Sequence, residues 1–142
     1  MKSLLLLAVV AAAPATGAAP DHSVRPAAGH PLIGKWQWTR SLDNCSEVYV
    51  YKADGTALVP SGTEKTDNVY TVTAHPDAIG FSRMTIRTTM DHGGKDCGDD
   101  DSDSTGMEST NFFIFNADRS QYLACDEPNM EKCFGPLRRA PE

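Results

Sequence analysis

The sequence predicts an all-β protein, a small antiparallel up-and-down β-barrel of about seven or eight strands. Three observations carry that expectation. Short runs alternate apolar and polar residues with a period of two, polar stretches rich in turn-forming residues separate them, and no window of adequate length shows an apolar stripe at helical spacing. With 142 residues, 40 % of them hydrophobic, the chain supports one domain around one core.

Taken in order, "MKSLLLLAVVAAAPATGAAPD" opens with Lys2, continues with an apolar run from Leu4 to Ala13 and ends in small residues, the pattern of a secretory signal peptide over 1–18. Pro14, Thr16 and Gly17 interrupt the run before it reaches the roughly 20 apolar residues of a membrane-spanning helix. No membrane span is therefore expected, and the mature product is expected to be soluble, in the periplasm or outside the cell. Residues 19–31, "APDHSVRPAAGHP", show neither period and read as a flexible leader, leaving 32–142 as the barrel domain.

Strands are expected from there on. "IGKWQWTR" puts Trp36 and Trp38 on one face and Lys35 and Gln37 on the other, and "EVYVYK" sets Val48 and Val50 opposite Tyr49 and Tyr51. Asp54-Gly55 then predicts a hairpin into "TALV", because glycine takes the positive φ of a tight turn at no steric cost. "NVYTVTA", "FSRMTIRTTM", "NFFIFN" and "SQYLAC" complete the strand candidates, and the mostly local order of hairpins favours closure, which removes exposed edges.

Cys45, Cys97, Cys125 and Cys133 are an even number, and in an exported chain they predict two disulfides. Zinc is disfavoured, since even the closest pair, "CDEPNMEKC", is too widely spaced for a typical zinc site. Of the three pairings, Cys125 with Cys133 and Cys45 with Cys97 are favoured, the first closing a short terminal loop and the second tying an early strand to an acidic loop.

"IGKWQW" resembles the Gly-x-Trp first strand of lipocalin-like, or calycin, barrels. The resemblance implies that Gly34 lets the chain bend inward and that Trp36 closes the barrel floor. It also implies an arginine packed on Trp36; Arg138 and Arg139 are the candidates, with Arg138 assigned the place and a solvated tail as the other reading of this pair. The wider pattern, "CSEVYVYKADGT" with "SGTEK" and a terminal "CFGPLRR", is similar to a family of small secreted proteobacterial proteins of the same barrel type, a family to which no activity is attached.

The most unusual stretch is "DCGDDDSDSTG", residues 96–106. Asp99, Asp101 and Asp103 have the alternate spacing with which calcium loops bring carboxylates to one centre; Ser104 and Thr110 stand where an EF-hand would need glycine and glutamate. A solvated, mobile loop extended by like-charge repulsion is the favoured reading, with calcium binding as the alternative. The net charge of −6, with seven acids between Asp91 and Glu108, makes nucleic acid an unsuitable partner, because phosphate binding needs clustered lysine and arginine.

Catalysis is not expected. G-x-S-x-G, H-E-x-x-H and Gly-rich phosphate motifs do not occur, and His92 in "MDHGGKDC" has no matched nucleophile or second ligand in the sequence. The expectation is a non-enzymatic binding protein holding a small apolar ligand among some of Trp38, Tyr49, Tyr51, Tyr70, Phe81, Phe113 and Phe115. The alternatives are calcium binding through the acidic loop, or a module that presents loops to another protein, as small disulfide-bonded periplasmic inhibitors of hydrolases do; the acidic loop suits a basic partner.

Overall fold

A computed structural model describes residues 23–141. The signal-peptide reading of 1–18 and the start of the leader lie outside the described residues. Nine strands follow one another: β1 (Ser23–Val24), β2 (Gly34–Thr39), β3 (Ser46–Tyr51), β4 (Thr56–Ser61), β5 (Glu64–Thr73), β6 (Ser82–Asp91), β7 (Glu108–Phe115), β8 (Gln121–Cys125) and β9 (Cys133–Arg139). Every ladder is antiparallel, each strand from β2 to β9 pairs with the next, and β9 returns to β2 through Trp36 opposite Arg139 and Gln37 opposite Arg138. The result is a closed eight-stranded barrel with β1 added to β5. β1 corrects the leader reading: Ser23 pairs with Thr73 and Val24 with Val72, so part of 19–31 belongs to the sheet. Two residues are too few to show a period of two.

The alternation seen in the sequence sorts side chains between the interior and the outside. Trp36 on β2, Tyr51 on β3, Ala57 on β4, Tyr70 and Val72 on β5, Met84 on β6, Phe113 on β7, Tyr122 and Ala124 on β8 and Leu137 on β9 form one buried cluster, joined by Leu32 from the segment before β2. Antiparallel closure also sorts the connections. The segment before β2 and the β3–β4, β5–β6 and β7–β8 connections lie at one end, the floor; the β2–β3, β4–β5, β6–β7 and β8–β9 connections lie at the other, the mouth.

The floor is built around Trp36, which is 0 % exposed, as are Leu32 and Leu137. Its indole Nε1 donates to the Leu32 carbonyl at 2.7 Å, which folds the chain before β2 back under the barrel. The Arg139 guanidinium lies over the Trp36 ring, 4.3 Å from its centre, and donates to the carbonyls of Ile33 (3.1 Å) and Pro31 (2.6 Å). The arginine on Trp36 is thus Arg139 and not Arg138, because period-two alternation turns adjacent residues of β9 to opposite faces. Gly34 has φ +128°, and a Cβ there would stand 2.7 Å from Arg139 Nη1. Glycine is needed here for the backbone conformation and for the guanidinium's approach.

Both favoured disulfides are present, and both are at the mouth. Cys45–Cys97 joins the β2–β3 and β6–β7 connections, and Cys125–Cys133 closes the base of the β8–β9 connection. The two arginines provide a contrast. Arg139→Ala removes a ring contact of about 0.5–2 kcal/mol along with its charge-assisted hydrogen bonds, whereas exposed Arg138→Ala should stay within about 0.5 kcal/mol of the parent. Urea unfolding of the two variants measures this, and equal midpoints would contradict the floor assignment.

Candidate functional site

The two ends of the barrel differ in how completely inward side chains are covered. At the floor, Trp36 packs edge-on against Tyr122 (4.9 Å between ring centres) and at a tilt against Phe115 (5.7 Å), Phe113 packs on Phe115 (5.5 Å), and Tyr51 packs on Tyr70 (5.0 Å). Tyr51, Tyr70, Phe81 and Phe113 are buried, the first, second and fourth of them inside the core cluster. Four of the seven expected ligand-binding aromatics are therefore packing residues, consistent with an eight-stranded interior narrow enough for side chains to fill. Phe115, half-buried, joins that floor packing.

Toward the mouth, residues on the same inward faces remain partly accessible. Trp38 continues the face of Trp36, Tyr49 that of Tyr51, and Ile86, opposite buried Tyr70, that of Met84; all three are half-buried. Phe134 faces inward from β9, opposite Ala124, is 38 % exposed, and meets Trp38 edge-on at 5.9 Å. These partly accessible residues, packed against the core, border the mouth end of the interior, the cup. Of the expected set, only Trp38 and Tyr49 stand in it.

A carboxylate stands in the same cup. Glu47 lies directly across the β2–β3 ladder from Trp38 and two residues before Tyr49, on its face. The Tyr49 hydroxyl donates to Glu47 Oε2 at 2.6 Å, and Ser61 Oγ donates to Oε1 at 3.1 Å. Ser61 in turn accepts the Cys97 backbone N–H at 3.1 Å, so the Cys45–Cys97 bridge anchors the serine that orients the carboxylate. Sequence reading missed Glu47, Ser61, Ile86, Tyr122 and Phe134 as site or core residues. For Glu47 a signal existed: the period of two that places Tyr49 and Tyr51 together places Glu47 with them.

Around the cup, the mouth connections carry nine acidic residues and three basic ones, while those at the floor balance Arg25, Lys52 and Arg119 against Asp54, Asp77 and Asp118. Hydrogen bonding lowers the pKa of several carboxylates at this end. Arg40 donates to Asp43 and holds its carboxyl down at about 2. The backbone N–H groups of Ser104 and Gly93 lower Asp91, and Ser102 and Thr105 do the same for Asp100 and Asp103. Glu64 moves the other way, pushed up by burial and by the nearby Asp91 charge.

The calcium centre that is the alternative reading of Asp99, Asp101 and Asp103 has no counterpart in the side-chain geometry. Among the described residues, no three His, Cys, Asp or Glu side chains converge on a point that could hold a metal ion. The acidic stretch is built from successive Asx turns: Asp96 Oδ1 accepts from the N–H groups of Gly98 and Asp100, Asp100 Oδ1 from Ser102, and Asp103 Oδ1 from Thr105. Carboxylates spent on their own backbone do not point to a common centre, and Asp99 and Asp101 are exposed. The loop reaches the barrel where Lys95 O accepts from Thr63 and Glu64 N–H; Gly94 (φ +107°) allows this, since a Cβ there would stand 2.4 Å from Thr63 O. His92 is paired with Asp67 at 2.8 Å on the outer surface, away from the cup. Comparison with protein-family models, curated proteins and solved structures gives no match.

All four tyrosines titrate above the ordinary phenol range. Burial is the main cause for each, and the Glu47 charge adds to it for Tyr49, Tyr51 and Tyr122. A folded-state pKa above the unfolded value of about 10 gives stability that is complete below that pH and is lost as pH rises toward the folded pKa. Tyrosinate absorbance should therefore stay low past pH 10 and rise together with loss of β-sheet circular dichroism. A tyrosine ionising near pH 10 in the folded protein would contradict this packing.

Proposed function

We propose that the protein is an exported, non-enzymatic binding module whose small ligand enters at the mouth and lies with an apolar part on Trp38, Tyr49, Ile86 and Phe134. One observation carries the reading: these inward-facing residues stay accessible at one end while Trp36, Leu32 and Leu137 seal the other. A concave, mostly aromatic site with a few convergent polar groups is the usual form of a small-molecule site. The reading takes the lipocalin-like assignment with it, supported by Gly34, Trp36 and an arginine on the tryptophan. Export is supported by the signal-like segment 1–18 and by two disulfides, bonds that persist in oxidising compartments. No helix of the described residues is long and apolar enough to cross a membrane.

The test is titration with the neutral fluorescent probe N-phenyl-1-naphthylamine. Saturable binding at one site is expected, and Trp38→Ala should weaken it about tenfold or more, as loss of a central aromatic anchor does. Non-saturating fluorescence, or full binding by the Trp38 variant, would rule the cup out as the site.

The charge of the rim favours a second reading, in which the mouth loops engage a basic protein, among them a hydrolase held in inhibited form. Binding of a lysozyme, as a basic test partner, should then weaken strongly as salt rises through about 0.1 M, where the screening length is roughly 10 Å. Absence of low-salt binding would remove this reading.

A further inference from the structure

An apolar ligand leaves one feature of the cup without a purpose: the Glu47 carboxylate, which is half-buried on the inward face of β3 with one hydroxyl donor on each oxygen, Tyr49 at 2.6 Å and Ser61 at 3.1 Å. Both donors are neutral. Arg40, a cation near enough to feel the Glu47 charge, is committed to Asp43 through both its Nε and its Nη2. A half-buried charge set among aromatic rings is costly unless a counter-charge meets it.

Glu47 and Tyr49 occupy alternate positions of one strand, so the carboxylate and the hydroxyl that orients it lie in one inward row.

We infer that the ligand is an organic cation, an amine or quaternary ammonium compound, whose charged nitrogen sits against Glu47 and whose apolar body lies on Trp38 and Phe134. The carboxylate is preoriented by Tyr49 and Ser61, and Ser61 is itself fixed by the Cys97 N–H, so little ordering remains to be done on binding. The aromatic walls suit a cation, because ring faces attract positive charge most strongly where water is excluded. The acidic rim raises the local concentration of such ligands.

This inference rests on the cup as the ligand site, and its test separates the two. Binding of 1-naphthylmethylamine and of the neutral 1-naphthalenemethanol is measured by titration calorimetry on the native protein and on Glu47→Gln. The expected result is an amine bound about tenfold or more tightly than the alcohol by the native protein, with that preference lost in E47Q as amine affinity falls toward that of the alcohol. Equal binding of amine and alcohol by the native protein, or an equal loss of both in E47Q, overturns the cation assignment and leaves the cup. If neither compound binds, nor the neutral naphthylamine probe, the cup itself is refuted. Should E47Q fail to fold, Ser61→Ala carries the test: it removes the donor to Oε1 and should cut the amine preference by about threefold, and an unaltered preference overturns the assignment.

Discussion

Trp36 is held from three directions, and the rest of the molecule depends on that hold. Its indole nitrogen bonds the Leu32 carbonyl, its edge meets Tyr122, and its face is covered by Arg139, whose guanidinium also caps the carbonyls of Pro31 and Ile33. One arginine thus joins the last strand to the segment before the first barrel strand at the seam where β9 meets β2. A barrel closes only if its first and last strands meet, and here that seam carries Trp36 and Leu137, both fully buried. Without it, β2 and β9 would both present unpaired backbone groups as free edges.

The opposite end is organised by covalent bonds. The mouth connections are polar and cannot bury an apolar surface of their own, so disulfides take over the role that packing has at the floor. The Cys45–Cys97 bridge does more than restrain two loops: it positions the Cys97 N–H on Ser61, and through Ser61 it fixes a carboxylate inside the barrel. Loop tethering and site geometry are one structure here. That arrangement ties the chemistry of the cup to the redox state of the protein's surroundings.

Most of the barrel was legible because most strands carry a period-two pattern that only one face of a sheet can satisfy. β9 was not legible as a strand, for Gly135 and Pro136 interrupt "CFGPLRR" and the ladder with β8 shifts register near that point. Glu64 and Lys65 hid the true start of β5 in the same way, since charged residues on an outward face resemble a turn. The cysteine pairing could be favoured from compartment and spacing, yet which arginine covers Trp36 depends on the phase of β9, which a bulged strand conceals. The acidic stretch left two readings open for a physical reason. Alternate aspartates suit a cation-binding loop and a chain of Asx turns equally well in sequence, and only the backbone decides between them.

The uneven placement of charge along the barrel makes the molecule an electric dipole whose negative pole is the mouth. Such a body does not approach a charged surface at random. Facing an anionic membrane or cell-wall polymer, it turns its neutral floor inward and its mouth toward bulk solvent, over distances on the order of the screening length, about 8–10 Å in physiological salt. The open end is then the end most accessible to whatever diffuses past, and the orientation requires no anchor.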